Sequence, residues 1–196
     1  PKTVSGIIAA KMTPAMLVFL DNTTIRCVED YTHLGIPVET EAMLLIEVDG
    51  RKTAVDEDAR SVAEICGRFG ASAVSIARDD AESMRLKSAR KAAFTSLARV
   101  KPTTIMEDVA VPRADLARLV ERIREIGMRN NVQIGNFGHA GDGNLHPNYL
   151  TNERDPAEFA RAEKTVFEVE EAAIELGGTI TGEHGVGLYK KRLLEK

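Results

Sequence analysis

Apolar residues change their spacing several times along the chain, and each change marks an element. Ala59, Val62, Ala63, Cys66 and Phe69 stand at i, i+3, i+4, i+7 and i+10. That is one face of a helix, with Gly70 as its stop. Leu116, Leu119, Val120, Ile123 and Ile126 draw a second such face within residues 113–129. Residues 155–178 predict the strongest helix, with Phe159, Val166 and Ala173 on its inner face. Asp155 suits its N-cap, Pro156 its first position and Gly177 its end. Residues 5–12 and 22–33 read as short helices, and 79–100 is helical in composition.

Shorter apolar runs bounded by turn residues predict strands. These are 13–21, 42–50 with its Asp-Gly stop, "SAVSIA" at 72–77, "TIMEDVAVP" at 104–112, and the alternating 131–137. The order strand, helix, strand occurs twice, with short links. It predicts an α+β fold, an antiparallel sheet with helices packed on one face. No repeat, low-complexity tract or linker divides residues 1–196, which read as one large domain or two lobes sharing a core. The final "LYKKRLLEK" looks helical. The first residues, "PKTVSG", lack a methionine, so the chain reads as a piece of a longer protein.

Composition narrows the function classes. Apolar residues at 43% and charged residues at 29% give an ordinary globular balance. A formal net charge of −4 argues against a general nucleic-acid binder, and the lack of tryptophan with sparse aromatics argues against a base-stacking platform. No apolar run approaches the ~20 residues of a membrane-spanning helix, and no secretory signal is visible in this stretch. Cys27 and Cys66 form no close-spaced motif. Cys66 reads as a buried structural thiol, and the compartment as reducing, hence cytoplasmic. His33, near a helix end, reads as a surface residue.

Chemistry concentrates in "GNFGHAGDGNLHPNYL", residues 135–150. With Asp142-Gly143 as a two-residue type I′ turn, His139 and His146 become direct cross-strand neighbours, about 5 Å apart at Cβ. Two imidazoles so placed converge on one cation. Asn144, His146 and Asn148 share a face of the second strand. Gly138, Gly141 and Gly143 permit positive φ and close backbone approach. The fifth and sixth positions of "DGNLHP" exclude an EF-hand, and no HExxH motif occurs.

A second cluster, "TITGEHGVGLYKK" at 179–191, holds Glu183 and His184 between glycines. Neighbours on an extended segment point to opposite sides. The natural split gives Glu183 to the metal and leaves His184 as a base facing substrate. The glycine spacing is wrong for a dinucleotide loop.

"FGHAGDGNLHPN" followed by "TGEHGVGLYK" closely resembles the C-terminal domain of FAD-linked oxidases. That family includes the glycolate oxidase flavin subunit, D-lactate dehydrogenase and D-2-hydroxyglutarate dehydrogenase. "LKSARKAAF", "EDVAVPRADL" with Asp108 and Pro112, and "AMLLIEVDG" extend the resemblance upstream. The resemblance implies a pair of ferredoxin-like lobes. It implies a divalent metal on His139, His146 and Glu183, zinc first, with manganese or iron as alternatives. It implies His184 as catalytic base, Arg90 as clamp for the substrate carboxylate, and Asn148 as a substrate-side polar contact. Lys87 stands where the family often has an aromatic.

Further implications concern the whole protein. FAD is held mainly by a separate N-terminal domain of the same protein, and the substrate is a small 2-hydroxy acid. Electrons pass to other oxidase subunits or a carrier, which would place the protein at the membrane through partners. Two other classes share such residues: a metal-dependent hydrolase and a non-catalytic partner-binding lobe.

Overall fold

The protein is described by a computed structural model covering residues 2–194. The chain opens with α1 (Lys2–Ala9), β1 (Met16–Asp21), α2 (Asn22–Thr32), β2 (Ala42–Glu47), α3 (Lys52–Arg68) and α4 (Asp80–Leu97). It continues with β3 (Thr103–Met106), β4 (Val109–Ala110), α5 (Leu116–Asn130), β5 (Gln133–His139), β6 (Asn144–Thr151) and α6 (Pro156–Glu175).

All strands join one antiparallel sheet in the order β2-β1-β5-β6-β3, with β4 also paired to β6. The α+β class is as expected. The units β1–α2–β2 and β4–α5–β5–β6–α6 share this one sheet.

The helices cover both faces of the sheet, not one. Leu17 and Phe19 of β1 pack into a core with α1, α3, α5 and α6. Val18 and Leu20 pack into another with residues of α2 and α4. Successive side chains on a strand alternate, so a strand apolar at every position needs cover on both sides.

Local signals explain most boundaries. Asp155 caps α6 by accepting from the amides of Ala157 and Glu158, with Pro156 in the first turn. Asp21 caps α2 through the Thr24 amide. His33 is an exposed, left-handed C-cap. Cys27 and Cys66 are free and buried.

Three expectations change. Residues 72–77 form no strand: Val74 and Ile76 are exposed, and no sheet edge reaches them to pair their backbone. The run 104–112 is split at Glu107-Asp108 into β3 and β4. The C-terminal segment holds only a 3-10 turn, Lys191–Leu193, with residues 195–196 outside the described part. Its Lys190 turns into the protein, which breaks the amphipathic pattern a helix would need. No described helix is long and apolar enough to cross a membrane.

Candidate metal and substrate site

The hairpin register differs from the tight-turn expectation. His139 pairs with Asn144 and Phe137 with His146, leaving a four-residue loop, Ala140 to Gly143. His139 and His146 are therefore diagonal, not opposite. They still share a face, because the slip is by two residues, a full side-chain period. Their rings lie 5.4 Å apart, edge to face. Only one loop glycine needs its conformational freedom: Gly143 has φ +73°, and a Cβ there would lie 2.1 Å from the Val111 carbonyl oxygen. Gly138 serves close approach to the partner strand instead, and Gly141 does neither.

The second cluster reaches the hairpin through β4. Ala110 pairs with Asn144 on one side and exchanges two main-chain hydrogen bonds with Thr179 on the other, at 2.7 and 3.1 Å. The segment after α6 is thus zipped beside β4, which delivers residues 182–184 to the histidines. Gly182 has no room for a side chain, since a Cβ would sit 2.6 Å from the Asn144 amide.

The three expected ligands come together. Glu183 Oε1 lies 3.1 Å from His146 Nε2 and 3.5 Å from His139 Nε2. One donor atom from each residue falls within 4.8 Å of the others. Two ligand atoms each about 2.1 Å from a cation, at tetrahedral or octahedral angles, lie about 3.0–3.4 Å apart. The two Glu183 separations match that spacing, within a set whose donor atoms all lie inside 4.8 Å. His146 is almost wholly buried, and burial lowers its pKa to about 4 against the opposing pull of Glu183. Its ring is therefore neutral at physiological pH, as a ligand must be.

His184 stands beside the triad. Its ring stacks on His146 at 4.9 Å between centroids and 12° between planes, and its Nε2 is 3.8 Å from Glu183 Oε1. Glu183 and His184 do not point to opposite sides as an extended strand would require. Residues 181–185 curl around the Asp108 carboxylate, which turns both side chains toward the hairpin. Burial raises the Asp108 pKa, but the amides of Glu183, His184 and Gly182, together with Lys190, outweigh it and hold the group at about 2.

Asn148 is fully buried and donates its amide to the carbonyls of His146 (2.6 Å) and Gly135 (3.3 Å). Its own oxygen, like Asn144 Oδ1 and His146 Nδ1, has no protein partner. Arg90 is half-buried on α4, which packs on the histidine-bearing face. Among the described residues its side chain makes no hydrogen bond or ion pair, so the structure does not join it to the triad. Lys87 pairs with Glu47.

A cleft lined by His139, Asp142, Asn144, Gly182 and Glu183 opens onto this group. A larger groove between α6 and residues 188–193 shares no residue with it.

The sequence model of the family "FAD linked oxidases, C-terminal domain" matches residues 2–196. The chain belongs to this family. It is 48% identical over 194 residues to glycolate oxidase subunit GlcD of Bacillus subtilis, covering 99% of this chain and 41% of that protein. It is 41% identical to glycolate oxidase subunit GlcD of Escherichia coli K12, covering 95% of this chain and 38% of that protein. Against D-lactate dehydrogenase of Archaeoglobus fulgidus the identity is 29%, over 96% of this chain and 41% of that one. The chain thus spans about two fifths of the curated relatives it matches. Among solved structures, 4-ethylphenol oxidase from Gulosibacter chungangensis superposes with a TM-score of 0.59 at 15% identity, covering 84% of this chain and 38% of that one. That likeness bears on the fold alone.

Proposed function

We propose that this chain is the substrate-side domain of a flavin-dependent 2-hydroxy-acid oxidoreductase of glycolate oxidase or D-lactate dehydrogenase type. The carrying observation is the convergence of His139, His146 and Glu183, with His184 stacked alongside. The names of the relatives supply the reaction class. The flavin belongs mainly to the portion of the protein beyond this chain, in an N-terminal domain that docks over the cleft.

Each residue has a separate task. His139, His146 and Glu183 would hold the divalent cation. Two imidazoles and one carboxylate with an open position suit zinc, with manganese or iron as alternatives. When bound, the cation supplies a Lewis acid for the substrate hydroxyl oxygen. FAD, held mainly outside this chain, would supply the hydride acceptor for C2. His184 takes the hydroxyl proton as general base. Arg90 grips the carboxylate through paired hydrogen bonds, a geometry lysine does not offer. Asn148 is the substrate-side polar contact through the Oδ1 that no protein group engages, while its amide fixes the main chain at His146 and Gly135.

Two relatives are named as subunits, which supports electron transfer to other oxidase subunits or a carrier. Such partners would hold a cytoplasmic protein at the membrane surface. The two free, buried cysteines fit a reducing compartment.

The test is His184→Ala in the full-length protein, with D-lactate and glycolate as substrates. The reading expects turnover to fall at least a thousandfold while metal content stays at the wild-type level. Unchanged turnover removes His184 from the chemistry, and ester hydrolysis without flavin shifts the site to a metal hydrolase.

A further inference from the structure

We infer that Asp108 and Lys190 form a positioning pair that sets the Glu183–His184 turn before any ligand arrives. The inference deepens the metal-site reading above and rests on it for its functional consequence.

Asp108 Oδ2 accepts three consecutive main-chain amides: Gly182 at 2.6 Å, Glu183 at 2.6 Å and His184 at 3.1 Å. Successive amides converging on one oxygen form an anion-binding nest, here filled by the protein's own carboxylate. The Thr181 hydroxyl donates to Asp108 and accepts from the Gly185 amide at 2.8 Å, closing the turn at both ends. This winding is what makes adjacent side chains face the same hairpin. The other oxygen of Asp108 lies 3.8 Å from His184 Nδ1.

Lys190 completes the arrangement from inside. Only 2% of it is exposed. Its ammonium donates to the carbonyls of Ile180 (2.6 Å) and Asp108 (2.9 Å) and to Asp108 Oδ1 (3.2 Å). Glu107 Oε2 at 2.8 Å adds negative charge, and the buried Glu170 carboxyl stands 3.7 Å away. Lysine thus ties the break between β3 and β4 to the residue that enters the turn. It also compensates the Asp108 charge, which would otherwise be buried against low-dielectric surroundings. Asp108 has no exposed surface. Among the described residues, donor atoms close enough to share a cation occur at His139, His146 and Glu183, and neither Asp108 nor Lys190 is one of them. The pair therefore acts on the ligands and is not itself part of the set.

The experiment measures two quantities on the full-length protein: amide hydrogen exchange at residues 182–184 and affinity for Mn²⁺ in the metal-free form. The variants are Asp108→Asn, Lys190→Met and the milder Thr181→Val, with His146→Ala as reference. A positioning pair predicts that Asp108→Asn and Lys190→Met each speed exchange at 182–184 at least tenfold. Exchange across Leu119–Ile126 of α5 should hold, and Mn²⁺ binding should weaken at least tenfold. Thr181→Val should move both readouts the same way by less, and it keeps the test open if a charge variant does not fold. Wild-type protection of the turn in the variants overturns the inference, as does equal acceleration in α5, which marks a general structural role. His146→Ala should lose Mn²⁺ and keep the turn protected. If it binds Mn²⁺ like wild type, the metal reading fails, while exchange at 182–184 still decides the positioning pair.

Discussion

Gly143 and Gly141 sit two residues apart in the same loop and differ in what a methyl group would meet. At Gly143 a Cβ strikes the Val111 carbonyl oxygen at 2.1 Å, and φ is +73°. At Gly141 the nearest atoms are those of Leu17 at 3.6 Å and beyond, and φ is not positive. Gly143→Ala should therefore lower stability by about 2 kcal/mol or more, since backbone overlap and left-handed strain add. Gly141→Ala should be neutral or raise stability by up to about 1 kcal/mol through the unfolded chain. Urea denaturation of the two variants measures both. The motif alone makes these glycines look equivalent, because spacing carries no information about which one faces another strand's backbone.

Among the elements, α6 shows how a periodic helix can also carry a polar liability. Its Glu170 is fully buried, with neither carboxylate oxygen in a hydrogen bond. Burial pushes its pKa up to about 7, with Lys190 pulling the other way. The folded state holds this proton more tightly than the unfolded chain, whose carboxyl titrates near 4.5. Its contribution to stability is thus greatest below pH 4.5 and declines as pH rises through 7. Glu170→Gln should flatten that decline and stabilise the protein at pH 8 by about 1–3 kcal/mol, read from thermal melts across pH 4.5–8. Helices α5 and α6 are plain in the sequence because their apolar faces repeat over four turns and α6 carries capping residues at its ends. The segment 72–77 shows the opposite case: apolar alternation describes a face that wants burial, but a strand also needs a partner edge. Cover on both faces of the sheet follows from the unbroken apolar run "MLVFL", a signal that the expectation of helices on one face leaves out.

Over the full chain, the site joins three segments far apart in sequence: the hairpin 139–146, the break at Glu107-Asp108 and the turn 181–185. The cluster of His139, His146 and Glu183, with His184, is readable from residue type and from resemblance to a known family. The hairpin register is not, yet a two-residue slip preserves the face and the triad survives it. Asp108 is visible only as part of a motif, and Lys190 only as part of a helical-looking tail. A buried ion cluster leaves no periodic trace, although two adjacent acids inside an apolar strand pattern are a usable warning. Arg90 lies on α4, which packs on the histidine-bearing face of the sheet. The central claim is that His139, His146 and Glu183 grip one cation. X-ray absorption fine structure of the zinc-loaded full-length protein tests it most directly. Two imidazole nitrogens at about 2.0–2.1 Å with at least one oxygen donor, reduced by one imidazole in His139→Ala, is the predicted spectrum. A zinc shell without imidazole, or one unchanged in both His139→Ala and His146→Ala, contradicts it.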